Sequence, residues 1–186
     1  DLEEVLKEVE KRIRDSLKDL KRVLDEVLDH IRRSLKENRD SLRKLEEDLR
    51  RVLEELRRTD LDERVVKKIE DEIDKVVKRM EKVSRDLEED NRRVLEELEE
   101  EVRRVMKENK DVLDRLRDEV TRSDDDEKKV AEKIRKEVKE LDEKNKELAR
   151  RIRDVAKKLD ERNKDVSRRL AEEVERLLRK IKEKVR

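Results

Sequence analysis

The sequence contains no glycine, proline, cysteine, phenylalanine, tyrosine or tryptophan, and only one histidine. Each absence removes a class of chemistry. Without glycine there is no close backbone cradle for phosphates. Without cysteine there is no disulfide framework, no Cys-based zinc site and no thiol nucleophile, and the redox compartment stays undetermined. Without aromatic rings there is nothing on which a nucleic-acid base could stack. No apolar run approaches the roughly 20 residues that cross a bilayer. No signal-peptide core or other targeting segment is recognisable, so localisation is left unassigned. The formal net charge is zero, which removes the simplest reason to expect nucleic acid or an anionic membrane as a partner.

What remains is a narrow alphabet. Of 186 residues, 57 are basic and 57 acidic; charged residues make up 61% and hydrophobic ones 31%. High charge with low hydrophobicity resembles disorder, but a periodic apolar stripe argues against it. Leu, Glu, Lys and Arg are good helix formers. Nothing alternates with period two over a useful length, so strands are excluded.

Two stretches interrupt the apolar rhythm: RRTDLDE at 57–63 and TRSDDDE at 121–127. Each begins basic, as suits a helix C-terminus, and ends acidic, as suits a helix N-terminus. Asp60 and Glu63 have capping-box spacing. Ser123 or Asp124 can cap a third helix, with Asp126 or Glu127 three residues on. The breaks predict three helices, about 1–58, 61–121 and 124–186, each roughly 90 Å long. Loops this short force consecutive helices antiparallel. The expectation is one all-α domain spanning 1–186: an elongated, nearly untwisted, up-down-up three-helix bundle.

The seam of apolar residues has an unusual period. In the first helix it runs Leu2, Leu6, Val9, Ile13, Leu17 and restarts at Leu20, Asn38 and Leu56. Its steps are 4-3-4-4-3, and the second and third helices keep the same cycle at other phases. Eighteen residues in five turns is 3.6 per turn, the relaxed α-helical value. A seven-residue repeat would wind left-handed and an eleven-residue repeat right-handed; this one requires neither. The seam does not choose the hand of the three-helix turn, because both arrangements satisfy it. Flanking residues such as Val5, Val23 and Leu28 widen the stripe enough to face two neighbours. There is no second apolar face, which favours a monomer.

Five asparagines occupy seam positions: Asn38, Asn91, Asn109, Asn145 and Asn163. If each chain reversal is centred on its break, facing residues carry numbers adding to about 121 and about 246. That places Asn38, Ser84 and Asn163 in one layer, with Ser41 and Ser167 a turn away. It sets His30 near Asn91, with Ser34 close by, and gives Asn109 and Asn145 no obvious seam partner. Bonded polar groups in a seam penalise every wrong register; the alternative is that these asparagines lie at the boundary and bond to water or to exposed Lys and Glu.

No constellation for catalysis or metal binding stands out. His30 has only ordinary carboxylates near it, Glu26 and Asp29, and nothing resembles a two-histidine helix site. The run Asp124–Glu127 lacks the glycine and the spacing of a calcium loop. No carboxylate sits in the seam. Basic and acidic residues number 17 and 18 in 1–60, 17 and 21 in 61–123, and 23 and 18 in 124–186. The second helix is thus mildly negative and the third mildly positive, a contrast that attraction between neighbours explains. Pairs such as Glu3–Lys7, Glu8–Arg12 and Glu47–Arg51 contribute a few tenths of a kcal/mol each.

The chain resembles de novo designed, parametrically built single-chain bundles of three straight helices with an eighteen-residue repeat. The Leu2–Leu20–Asn38–Leu56 line, the two short loops and the Asp/Glu/Lys/Arg surface carry that resemblance. It implies no natural activity, no catalytic, metal or cofactor-binding residues, monomeric behaviour and high stability. The alternative is a helical interaction module that binds a partner helix or a second copy of itself.

Overall fold

The computed structural model describes residues 1–122 and 126–186. It contains three helices, α1 (Leu2–Arg57), α2 (Glu63–Arg122) and α3 (Glu127–Val185), of 56, 60 and 59 residues. No strand occurs among the described residues. The breaks anticipated from sequence are where the helices end, with boundaries moved by one to three residues.

Each helix opens on an aspartate. Asp1, Asp62 and Asp126 accept hydrogen bonds from the backbone N–H two residues on, at Glu3 (3.1 Å), Arg64 (3.1 Å) and Lys128 (3.4 Å). Their backbone carbonyls accept the first helical bonds, from Val5, Val66 and Val130. A carboxylate there satisfies an orphan donor and complements the helix dipole. The capping box expected at Asp60 and Glu63 is not used. Asp62 caps instead, because α2 starts at Glu63 and only the residue immediately before it has the cap geometry. The expected caps Ser123 and Asp124 lie outside the described residues. At the other end of the first loop, the Thr59 hydroxyl donates to the Leu56 carbonyl at 2.6 Å and closes α1.

The chain forms two compact units, Asp1–Asp29 with Arg93–Lys157, and His30–Arg92 with Lys158–Arg186. Every helix contributes to both. In the first unit, Val5, Val9 and Ile13 of α1 pack with Leu116 of α2 and with Val130, Ile134 and Val138 of α3. In the second, Leu49 and Leu53 of α1 pack with Ile69, Ile73 and Met80 of α2 and with Val174 and Ile181 of α3. All of these come from the seam or its flanks, and full burial of such a side chain contributes about 1.5–3 kcal/mol.

Partners fix the directions. Arg39 meets Glu88 and Arg57 meets Glu70, so α2 runs against α1. Glu8 meets Arg135 and Arg12 meets Asp142 in the first unit, and Ser34 meets Asp160 and Asn38 meets Asn163 in the second, so in each unit α3 runs with α1. Arg57, the last residue of α1, reaches a residue seven positions into α2. The first two turns of α2 therefore extend past the end of α1. The loop continues along the helix before it reverses, and this displaces the register expected from a reversal centred on the break.

Removing the cap at Asp62 tests this local account. Asp62→Ala should lower stability by about 1 kcal/mol, read as a lower denaturant midpoint with unchanged slope. Asp60→Ala should leave the midpoint within error.

Candidate functional site

The buried polar residues gather in two networks, one in each unit. In the first unit Asn109 of α2 and Asn145 of α3 are 0% and 1% exposed. Asn145 Nδ2 donates to Asn109 Oδ1 at 2.8 Å, and Asn109 Nδ2 donates to Asn145 Oδ1 at 3.3 Å. Asn109 Nδ2 also donates to the Val105 carbonyl one turn back, at 2.6 Å. Asn145 Nδ2 reaches Ser16 Oγ of α1 at 3.1 Å. Ser16 in turn hydrogen-bonds Asp142, whose carboxylate holds Lys146 at 3.3 Å and Arg12 at 3.4 Å.

The second unit repeats the scheme. Asn163 Nδ2 donates to Asn91 Oδ1 at 2.9 Å, and Asn91 Nδ2 donates back at 3.0 Å. Both residues are fully buried. Asn91 Nδ2 also donates to the Leu87 carbonyl at 2.7 Å. Ser34 Oγ donates to Asp160 Oδ1 at 3.1 Å, and Asp160 holds Lys164 at 3.1 Å. His30 takes the place that Arg12 has in the first unit, with Nε2 3.6 Å from Asp160. Asn38 adds a further link. Its Nδ2 donates to the Asn163 carbonyl at 3.2 Å, and its Oδ1 accepts from Ser167 at 2.8 Å.

The layer expected from sequence is thus half realised. Asn38, Asn163 and Ser167 do meet. Ser84 is not the third member, since Asn163 pairs with Asn91, seven residues and two turns further along α2. The His30–Asn91 contact does not form for the same reason, and His30 faces Asp160 instead. Asn109 and Asn145, expected to lack partners, pair with each other. The register displaced at the first loop bears on His30, while the two amide pairs show that α2 and α3 are also offset from the expected alignment. Ser41, Glu26 and Asp29 are exposed.

Two carboxylates that sequence reasoning passed over, Asp142 and Asp160, anchor these networks. Burial alone pushes the Asp142 carboxyl upward. The Ser16 hydroxyl, the hydrogen bond and charge of Lys146, and the charge of Arg12 together outweigh it and hold the group below the usual range. Asp160 follows the same balance: burial raises it, while Lys164, Ser34 and His30 lower it further. The available signal was their position three residues before a seam asparagine, one turn away on the flank that meets α1.

Between α1 and α2 of the second unit lies an open cleft of about 360 Å³. Ser84 lines it, together with Leu42, Met80, Glu46 and Glu81. Burial, then a hydrogen bond and repulsion from Glu81, raise the Glu46 carboxyl above its ordinary value against the pull of Arg50 and Arg43. Among the described residues no group of three or more His, Cys, Asp or Glu is placed to hold a metal ion, and no helix is long and apolar enough to cross a membrane. No protein-family model, curated protein or solved structure matches this chain.

The amide pairs predict an asymmetry between single and double substitution. Asn163→Ala leaves buried groups of Asn91 unpaired and should cost ~1–3 kcal/mol. Asn91→Leu with Asn163→Leu should fall within about 1 kcal/mol of the parent or above it, since both partners become apolar. Denaturant unfolding of the three chains measures the difference.

The carboxylates predict a pH window. Their folded pKa values are depressed, so their stabilisation is present above the unfolded carboxylate value, about 3.9, and is lost as pH falls through the folded values. Asp142→Asn with Asp160→Asn should therefore lose less stability than the parent between neutral pH and pH 2. Glu46 has the opposite sign: its contribution is present in acid and lost as pH rises through its raised pKa, so Glu46→Gln should stabilise the chain at pH 7. Thermal melts across the range read both.

Proposed function

We propose that this chain is a de novo designed structural scaffold whose role is to hold its own shape, with no natural substrate, cofactor or partner. One observation carries the reading. The members of the second network stand eighteen positions from their counterparts in the first: Ser34 from Ser16, Asp160 from Asp142, Asn163 from Asn145, Lys164 from Lys146, and Asn91 from Asn109 in the reverse direction along α2.

A repeat of eighteen residues keeps the relaxed helical period, so one solution to the core can be written twice without supercoiling. Using the same layer twice is what a parametric construction does. The caps support the reading as well, since an aspartate opens all three helices. So does the surface, where ion pairs such as Arg39–Glu88 and Arg151–Glu101 bracket the seams. The absence of similarity to known proteins is consistent with a sequence of no natural descent.

On this reading the apolar seam supplies stability and the polar networks supply specificity. The chain should sediment as a single species of 22.8 kDa and keep its helical signal above ~90 °C, the usual mark of hyperstability. A larger mass, or a melting temperature that climbs with protein concentration, would instead make it an interaction module that joins copies of itself.

A further inference from the structure

The apolar seams leave open which hand the three helices of each unit take. We propose that α1 carries the key: the edge it turns toward α3 differs chemically from the edge it turns toward α2, and this difference selects the hand.

The α3-facing edge of α1 bears buried hydroxyls. Ser16 and Ser34 are 8% and 7% exposed, and each bonds a carboxylate on α3, Asp142 in one unit and Asp160 in the other. Asn38 joins the same edge through Ser167 and the Asn163 carbonyl. The α2-facing edge of α1 is joined to α2 differently, through charged pairs at the rim: Arg39–Glu88 and Arg57–Glu70 in the second unit, Glu10–Arg117 in the first.

In the opposite hand every helix exchanges its two neighbours while the apolar seams still meet. Ser16 and Ser34 would then turn toward the side of α2 that now faces α3. That side carries Val112 and Val94, each two turns before a glutamate, Glu119 or Glu101, that binds α3. The hydroxyls would meet methyl groups, and Asp142 and Asp160 would lose them as donors. A buried carboxylate deprived of a hydrogen bond is heavily penalised. Charge adds to the effect. Arg39 and Arg57 would swing toward the α3 edge that carries Arg162 and Lys184, where like charges repel.

The central asparagines cannot make this choice. Asn91 with Asn163, and Asn109 with Asn145, join α2 to α3 near the seam, and their pairing fixes register. The off-axis serine–aspartate bonds distinguish one side of α1 from the other.

Thiol cross-linking with a short bis-maleimide in the full chain reads the hand. The side chains of Glu8 and Arg135 meet at their tips, 3.6 Å apart, across α1 and α3, so a linker that spans two side chains joins Glu8→Cys to Arg135→Cys in the observed hand. Glu8→Cys with Glu119→Cys reports the opposite one, because Glu119 then lies where α1 arrives. In the parent background the first pair should cross-link readily and the second hardly at all. A second pair that cross-links as readily as the first would overturn the assignment.

The key is then removed with Ser16→Val, Ser34→Val, Asp142→Leu and Asp160→Leu, which takes away both members of each serine–aspartate bond. The opposite-hand cross-link should rise at least tenfold. If this chain keeps its helical circular dichroism and still yields only the observed-hand cross-link, α1 is not the key. Should it lose its helical signal, Ser16→Ala with Ser34→Ala makes the comparison in a milder background. A twofold or greater rise in the opposite-hand cross-link supports the proposal, and unchanged yields reject it.

Discussion

Two carboxamides that each give and receive one hydrogen bond across a helix interface are satisfied in only one register. Asn91 with Asn163, and Asn109 with Asn145, are such pairs, and all four side chains are essentially out of water. The surrounding Leu, Ile and Val side chains attract one another without direction, and a seam that repeats its spacing can slide onto itself. A slide by one step of the seam keeps most apolar contact but strands several buried polar groups at once. The amide pairs thus turn a sticky interface into a specific one. Their net contribution to stability is small, since hydrogen bonds to water are exchanged for internal ones. Their larger effect is on the alternatives.

Around each pair the protein builds outward through groups of rising polarity. The asparagine lies nearest the axis, the serine beside it, the aspartate on the flank, and lysine with arginine or histidine at the rim. Each step satisfies the one within. Asn145 reaches Ser16, Ser16 reaches Asp142, and Asp142 reaches Lys146 and Arg12. A buried carboxylate is tolerable there because a hydroxyl and two cations stabilise its charged form against the penalty of burial. The Glu46–Glu81 pair has two arginine charges nearby but not that balance, and burial with its like-charged neighbour prevails.

Much of this was legible from residues alone. The breaks at 57–63 and 121–127 follow from lost periodicity and reversed charge, and the three helices follow from them. The five seam asparagines stood out as polar residues in apolar positions, and the meeting of Asn38 with Asn163 was anticipated. The register was not legible, and the reason is physical. A seam of regularly spaced aliphatic residues accepts several alignments, so the alignment of α1 with α2 hangs on the path of the first loop. That path takes α2 two turns beyond the end of α1 before Arg57 meets Glu70, which no spacing of apolar residues encodes. Asp142 and Asp160 were overlooked because carboxylates are abundant here. Only the first helix, by bringing Ser16 and Ser34 against them, distinguishes them from the rest.

Side-chain amide spectroscopy tests the two amide pairs directly. Nuclear Overhauser contacts between the carboxamide protons of Asn91 and Asn163, and between those of Asn109 and Asn145, should be present, with all four groups protected from solvent exchange. Carboxamide protons of Asn163 that contact Ser84 instead, or that exchange at the rate of a free amide, would contradict the pairing.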